Sequence, residues 1–204
     1  MTKKIGVLAL QGAFIEHRKQ LDKLGVDSFE IRQLKDLINA QKNNKIDGLI
    51  IPGGESTVIS KLLVELKLFE PIRAAIQEGL PVLGTCAGMI LLAKELSEEG
   101  KGTADKLQDS PTLQVLDCKV RRNGWGRQLG SFKTNAKFGL GEVKNDIDMV
   151  FIRAPYIEEI GSRVNVLAEV ENKIVAVKQD NILATAFHPE LTDDLTVLEE
   201  FLKI

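Results

Sequence analysis

Lys4 to Leu10 (KIGVLAL) is a near-continuous apolar run, the pattern of a strand buried on both faces. Gln11-Gly12 ends it. Phe14, His17, Leu21 and Leu24 then recur at three- to four-residue spacing, which predicts a helix closed by Gly25. Ser28 to Ile31 reads as a second strand and Leu34 to Ala40 as a short helix. Asp47 to Ile51 (DGLII) is a third strand, cut off by Pro52-Gly53-Gly54. Helices are predicted from about Ser56 and across Phe69 to Glu78. Pro81 to Gly84 (PVLG) is a fourth strand. It runs into Thr85-Cys86-Ala87-Gly88 and a helix from Met89 to Leu96.

Strands alternating with helices over this first half predict an α/β fold with a mainly parallel sheet covered on both faces. The pattern then changes. Residues 97–112 are polar, contain Gly100, Gly102 and Pro111, and read as a surface loop. Strand candidates follow one another at 113–121, 128–134, 149–153, 164–170, 173–178 and 182–187, as antiparallel additions to the same domain. Thr192 to Leu202 closes the chain as an amphipathic helix, with Leu195, Leu198, Phe201 and Leu202 on one side. No repeat, low-complexity tract or linker interrupts residues 1–204, so one domain is expected.

Composition changes this picture little. The 204 residues suffice for a real core, and 44% apolar with 27% charged residues is ordinary for a soluble globular protein. A net charge of -2 implies no bulk attraction to nucleic acid or anionic membrane. The lysines before the first apolar run faintly suggest a signal peptide. The run is short and lacks a small-residue cleavage site, so a strand fits better and the cytoplasm is the expected location. No apolar stretch is long enough to span a bilayer. The two cysteines form no disulfide scaffold, and no Cys/His cluster has zinc-ligand spacing, so no metal is expected.

Chemistry concentrates at Gly84-Thr85-Cys86-Ala87-Gly88. This G-x-C-x-G is the cysteine counterpart of the nucleophile elbow, in which a strand turns abruptly into a helix and carries the nucleophile at the apex. Small residues two positions either side let strand and helix approach. A helix N-terminus favours thiolate, and the Ala87 N–H points to where an oxyanion would form. The pentapeptide alone is equally compatible with a buried core cysteine. Cys118 is the contrast: Leu116, Cys118 and Val120 alternate with charged residues, the inward face of a half-exposed strand.

A cysteine nucleophile needs a base. Of the two histidines, His17 lies on or near the apolar stripe of the first helix and reads as structural. His188 follows the apolar run Ile182 to Phe187 and precedes Pro189-Glu190, which puts it at a strand end, where open α/β sheets place functional groups. Glu190 can receive the His188 N–H and hold one tautomer. Alone, H-P-E is also a plausible surface turn. Pro52-Gly53-Gly54-Glu55-Ser56 lacks the lysine of a phosphate loop, but paired glycines suit a second oxyanion donor or substrate edge.

Through GTCAG and FHPEL, the chain resembles the class I (triad) glutamine amidotransferases. The likeness is closer to one branch, the glutaminase subunits of pyridoxal 5'-phosphate synthase. It is carried by Ile5 to Gly12 (IGVLALQG), Pro52 to Thr57 (PGGEST), Arg122 to Gln128 (RNGWGRQ), Phe151 to Pro155 (FIRAP) and Phe187 to Thr192 (FHPELT), in order along nearly the whole chain. The resemblance implies a three-layer flavodoxin-like fold, with Cys86 as nucleophile, His188 as acid–base group and Glu190 as its partner. It implies substrate contacts at Gly54, Glu55, Ser56, Arg122, Ile152 and Arg153, and oxyanion N–H groups at Gly54 and Ala87. It further implies L-glutamine as substrate. The partner would be a (β/α)8-barrel synthase subunit of the PdxS type, in a large ring complex that uses the ammonia to make pyridoxal 5'-phosphate. That compound is then a product, and no cofactor of this chain is implied. One departure stands out: Gly124-Trp125 replaces the small polar residue and Phe usual there.

Other readings are a glutaminase serving another synthase, such as imidazole glycerol phosphate synthase, and a flavodoxin-like interaction module with a vestigial triad. A cysteine hydrolase or chaperone of the DJ-1 type shares the elbow but explains neither HPE nor the arginine-bearing segments.

Overall fold

The opening apolar run becomes β1 (Lys4–Leu8), the centre of a small parallel system. Its neighbours are β2 (Asp27–Ile31) on one side and β3 (Gly48–Ile51) on the other, both parallel to it. Then come β4 (Val82–Thr85) and β12 (Ile182–Thr185), again parallel. β3, β4 and β12 are buried at every position, which is why they read as unbroken apolar runs without alternation. The computed structural model describes residues 3–43, 46–97, 110–125, 130–141 and 144–204.

Helices connect these strands. α1 (Phe14–Lys23) joins β1 to β2, and α2 (Leu34–Lys42) joins β2 to β3. α3 (Ser56–Glu65) and α4 (Phe69–Gln77) join β3 to β4. The β1–β2 and β3–β4 crossovers run to opposite sides of the β1/β3 pair, so right-handed connections put helices on both faces. That reversal opens a crevice at the strand C-terminal ends, the usual ligand site of an open α/β sheet. Caps fix the helix starts: the Glu55 carboxylate accepts the N–H groups of Thr57 and Val58 at 3.0 and 2.8 Å. Leucines and isoleucines with no exposed surface, such as Leu49, Ile50, Leu63 and Leu92, fill the core at about 1.5–3 kcal/mol each.

The second half departs from the sequence pattern in four places. The helix expected to Leu96 stops early: α5 spans Ala87–Leu92, and β5 (Ala93–Leu96) pairs in parallel with β6 (Leu116–Arg121). Tertiary pairing there overrides the helix preference of Ala-Lys-Glu-Leu. A strand absent from the expected set, β9 (Tyr156–Ile160), lies between β6 and β11 (Lys173–Gln179). It escaped because its Glu-Glu pair breaks the alternation. β7 (Ser131–Phe138) and β8 (Asn145–Ile152) are longer than expected and pair only with each other, as a separate two-stranded ribbon. The closing helix starts later, as α6 (Thr196–Leu202), because Pro189–Leu191 forms a 3-10 turn and the Asp194 carboxylate accepts the Thr196 N–H. β10 (Asn165–Val170) pairs antiparallel with β11 as expected. Most of the loop at 97–112 lies outside the described residues.

A Cβ at Gly88 would overlap the Ile51 carbonyl oxygen and sit 3.0 Å from its carbon. Gly88→Ala should therefore cost about 1–3 kcal/mol in urea unfolding, through overpacking of rigid backbone. Gly130→Ala, with nothing within 4 Å of its added Cβ, should stay within about 0.5 kcal/mol.

Candidate active site

β4 ends at Thr85 and α5 begins at Ala87, so Cys86 carries the whole change of direction. It does so at φ +49°, ψ -100°, a conformation that costs a non-glycine residue roughly 1–3 kcal/mol. The fold holds it there: the Cys86 N–H donates to the Thr185 carbonyl of β12 at 2.7 Å. The flanking glycines act as the motif predicts. A Cβ at Gly84 would sit 2.9 Å from the Gly88 carbonyl carbon, so strand and helix touch backbone to backbone. Ala87 is the first residue of α5, and its N–H has no acceptor within the helix. α5 has only six residues, so its dipole is short and neighbouring side chains must supply most of the electrostatics.

His188 follows β12. Its N–H donates to Val150 O of β8 at 2.8 Å, which ties the turn to the ribbon. The 3-10 turn Pro189–Leu191 brings Glu190 back under the ring, with His188 Nδ1 to Glu190 Oε1 at 2.7 Å. Nδ1–H thus donates to the carboxylate, leaving Nε2 free for another partner, and Cys86 is close enough to influence the ring electrostatically. Both side chains are nearly out of solvent, 9% and 0% exposed. Burial pushes the His188 pKa down, but the interaction with Cys86, the hydrogen bond to Glu190 and the charge on each more than offset it. The result stands at about 10. Burial likewise works against the Glu190 anion, yet His17 and His188 hold its pKa below the usual carboxylate value. Cys118 is a different thiol: buried in β6, it is pushed up to about 12 by burial, with Asp117 adding. It is inert core, as its alternating strand implied.

The Pro-Gly-Gly turn packs directly on this pair. A Cβ at Gly53 would collide with the edge of the His188 ring, 2.8 Å from Nδ1, and lie 3.3 Å from Cys86 Cβ. Only glycine fits there. Gly54 and Glu55 are exposed beside it, and Ser56 is buried at the start of α3. The Glu55 carboxylate is occupied as the α3 cap, and its backbone N–H donates to Gln11 Oε1 at 2.7 Å. Partial burial raises the Glu55 pKa. The capping N–H groups, with Arg122 adding, bring it below its ordinary value, so Arg122 lies within electrostatic reach of this turn.

Ile152 ends β8 and is 38% exposed. Arg153 follows at φ +44°, exposed, with its N–H donating to Gly130 O. Arg127 and Gln128 of the RNGWGRQ segment lie outside the described residues. The Gly124-Trp125 departure has a packing reason. A side chain at 124 would overlap the Tyr156 ring. The Trp125 indole is buried against Phe132 and Phe151, at centroid distances of 5.0 and 5.2 Å, and Lys173 Nζ caps it at 4.2 Å. Phe151 continues the cluster to Phe187, one residue before His188.

Two further polar side chains from α1 reach the cluster of Cys86, His188 and Glu190. His17 is fully buried, with Nε2 3.4 Å from Glu190 Oε2 and 3.1 Å from Thr85 Oγ1. Gln20, one turn on, donates from Nε2 to Pro189 O and Thr192 O at 2.9 and 3.1 Å. The available signal was a pair of polar residues, three apart, on the buried stripe of α1. Among the described residues no group of His, Cys, Asp and Glu could hold a metal ion, and no helix is long and apolar enough to cross a membrane.

Residues 7–204 match the SNO glutamine amidotransferase family. The chain is 50% identical over 202 residues to "Pyridoxal 5'-phosphate synthase subunit PdxT" of Haemophilus influenzae (strain PittEE), covering 98% of this chain and 97% of that protein. It is 52% identical, with the same coverage, to the protein of that name in Methanocorpusculum labreanum. A solved structure described as a glutamine amidotransferase superposes with a TM-score of 0.82 at 40% identity, covering 98% of this chain and 97% of that one.

The raised His188 pKa has a consequence for stability. The folded protein holds a proton on His188 from its ordinary 6.5 up to about 10. This stabilisation is complete below pH 6.5 and is lost as pH rises through about 10. Thermal melts between pH 6 and 10.5 should show a steeper alkaline loss of Tm for the unaltered protein than for His188→Asn. Parallel curves would contradict the assignment.

Proposed function

The chain belongs to the SNO glutamine amidotransferase family, and from that premise we propose that Cys86, His188 and Glu190 hydrolyse the side-chain amide of L-glutamine to glutamate and ammonia. One observation carries this reading. A cysteine held at positive φ on a strand-to-helix elbow shares the Gly53 contact with a histidine whose Nδ1 is 2.7 Å from a buried carboxylate. That is the geometry of an activated thiol nucleophile with its base and orienter.

The Cys86 sulfur attacks the glutamine δ-carbonyl carbon, and the π electrons move to oxygen. N–H groups of Ala87 and Gly54 receive the oxyanion. His188 Nε2–H gives its proton to the amide nitrogen, the C–N bond breaks, and ammonia leaves a thioester on Cys86. His188, now neutral, takes a proton from water, whose oxygen attacks the thioester. Collapse releases glutamate and the thiolate, with His188 protonated again. Throughout, Glu190 keeps the ring in the tautomer whose Nε2 faces the sulfur. Arg122 suits the substrate α-carboxylate, since its fork can make two parallel hydrogen bonds. Ser56, Ile152, Arg153 and the backbone of Glu55 border the same pocket.

The ammonia serves pyridoxal 5'-phosphate synthase. This chain is its glutaminase subunit, and residues 1–204 act as one amidotransferase domain. It docks on a (β/α)8-barrel synthase subunit, and many copies of both assemble into a ring in the cytoplasm. Near-full-length identity of about half to subunits of that name supports this assignment.

Cys86→Ala, assayed for glutamate release with and without the barrel subunit, should lose turnover by ~10⁴-fold or more while its thermal melt is preserved. Turnover surviving beside the barrel subunit would sink the mechanism.

A further inference from the structure

α1 sends two polar side chains into the interior, and both end on the catalytic turn. Gln20 holds the carbonyls of Pro189 and Thr192. His17 reaches Glu190 and Thr85, and its side chain is only 1% exposed. Glu190 uses Oε1 for His188. Its Oε2 has no hydrogen-bond partner among the described residues, and His17 Nε2 stands 3.4 Å away. Thr85 Oγ1 also accepts the N–H of Gly53 at 3.0 Å. A single chain of contacts therefore runs from Glu190 Oε2 through His17 Nε2 and Thr85 Oγ1 to the Gly53 N–H, which lies against Cys86 and His188.

The position of the His17 proton follows from its surroundings. Nδ1 has no hydrogen-bond partner among the described residues, whereas Nε2 faces a carboxylate and a hydroxyl oxygen. A proton on Nδ1 would leave a buried donor unsatisfied and point the Nε2 lone pair at an anion. A proton on Nε2 avoids both costs. Burial, with the His188 charge, lowers the His17 pKa, while Glu190 and Glu16 oppose the fall. His17 is thus a neutral donor, and the single positive charge of the cluster stays on His188.

We propose that His17 is a positioning residue for glutamine hydrolysis: its Nε2 is hydrogen-bonded to Thr85 Oγ1, which sets the Pro-Gly-Gly turn beside the nucleophile, while the same edge of the ring faces the unpartnered Oε2 of Glu190 at 3.4 Å. It touches no substrate. It couples the orientation of the base to the orientation of the backbone that meets the oxyanion, two elements otherwise far apart in the chain. The role rests on the glutaminase reading, and its effect belongs in kcat, because neither end of the relay contacts the ground-state amino acid.

The test uses the protein in complex with its barrel subunit. His17→Leu removes the donor at similar bulk, and His17→Gln restores an N–H near the Nε2 position. Thr85→Val removes the hydroxyl alone. His17→Leu should lower kcat at least about tenfold with KM for glutamine within about twofold, and His17→Gln should recover most of that loss. Thr85→Val should lower kcat in the same direction. Wild-type kcat in folded His17→Leu overturns the proposal, as does a loss in His17→Gln equal to that in His17→Leu. If His17→Leu does not fold, Thr85→Val decides, and unchanged kcat there overturns the relay. Cys86→Ala runs alongside. Turnover in that variant would refute the glutaminase reading itself, whereas an inactive Cys86→Ala with a fully active His17→Leu refutes only the relay.

Discussion

A carboxylate with no solvent-exposed surface organises this molecule. Burying an isolated anion costs several kcal/mol, and Glu190 remains ionised only because its two oxygens face two imidazoles, those of His188 and His17. Each imidazole is in turn held by something distant in sequence. His188 is anchored through its backbone to β8, and His17 rides on α1. The turn between them is clamped by Gln20. Removing His188 would leave the carboxylate without its hydrogen-bond donor, so satisfying the charge and shaping the site are linked requirements.

The second constraint is steric. Cys86 sits at positive φ because β4 and α5 meet backbone to backbone at Gly84 and Gly88. The Pro-Gly-Gly turn reaches the thiol and the imidazole because Gly53 has no side chain. Strand ends that are parallel neighbours, β3, β4 and β12, deliver these three segments to one edge of the sheet. The chemistry thus depends on register: Thr185 lies opposite Thr85, so Cys86 and His188 emerge close together.

The aromatic cluster extends the same logic outward. Trp125, Phe132, Phe151 and Phe187 stack the ribbon of β7 and β8 onto the strand end that carries His188. Arg122 and Arg153 flank that cluster in sequence, so packing of the ribbon bears on where these two arginines stand. The Gly124-Trp125 pair belongs to this packing, with glycine required by Tyr156 and indole covered by Lys173.

Local sequence determined a good deal. The parallel half of the sheet was legible because fully buried strands are unbroken apolar runs, and the elbow because its glycines are a steric necessity visible as letters. Cys86 and His188 stood out because each follows an apolar run, and Glu190 because it lies two residues on; locally each motif was ambiguous, and the triad was implied by the resemblance. The remainder was decided only in three dimensions. β5 and β9 exist because neighbouring strands pair with them, which no local propensity records. The Glu55 carboxylate caps α3, a use that depends on the turn geometry after β3. His17 looked like a polar residue on an apolar stripe. Its meaning depended on which buried charge lay opposite, 173 positions along the chain, and periodicity within one helix carries no information about that partner.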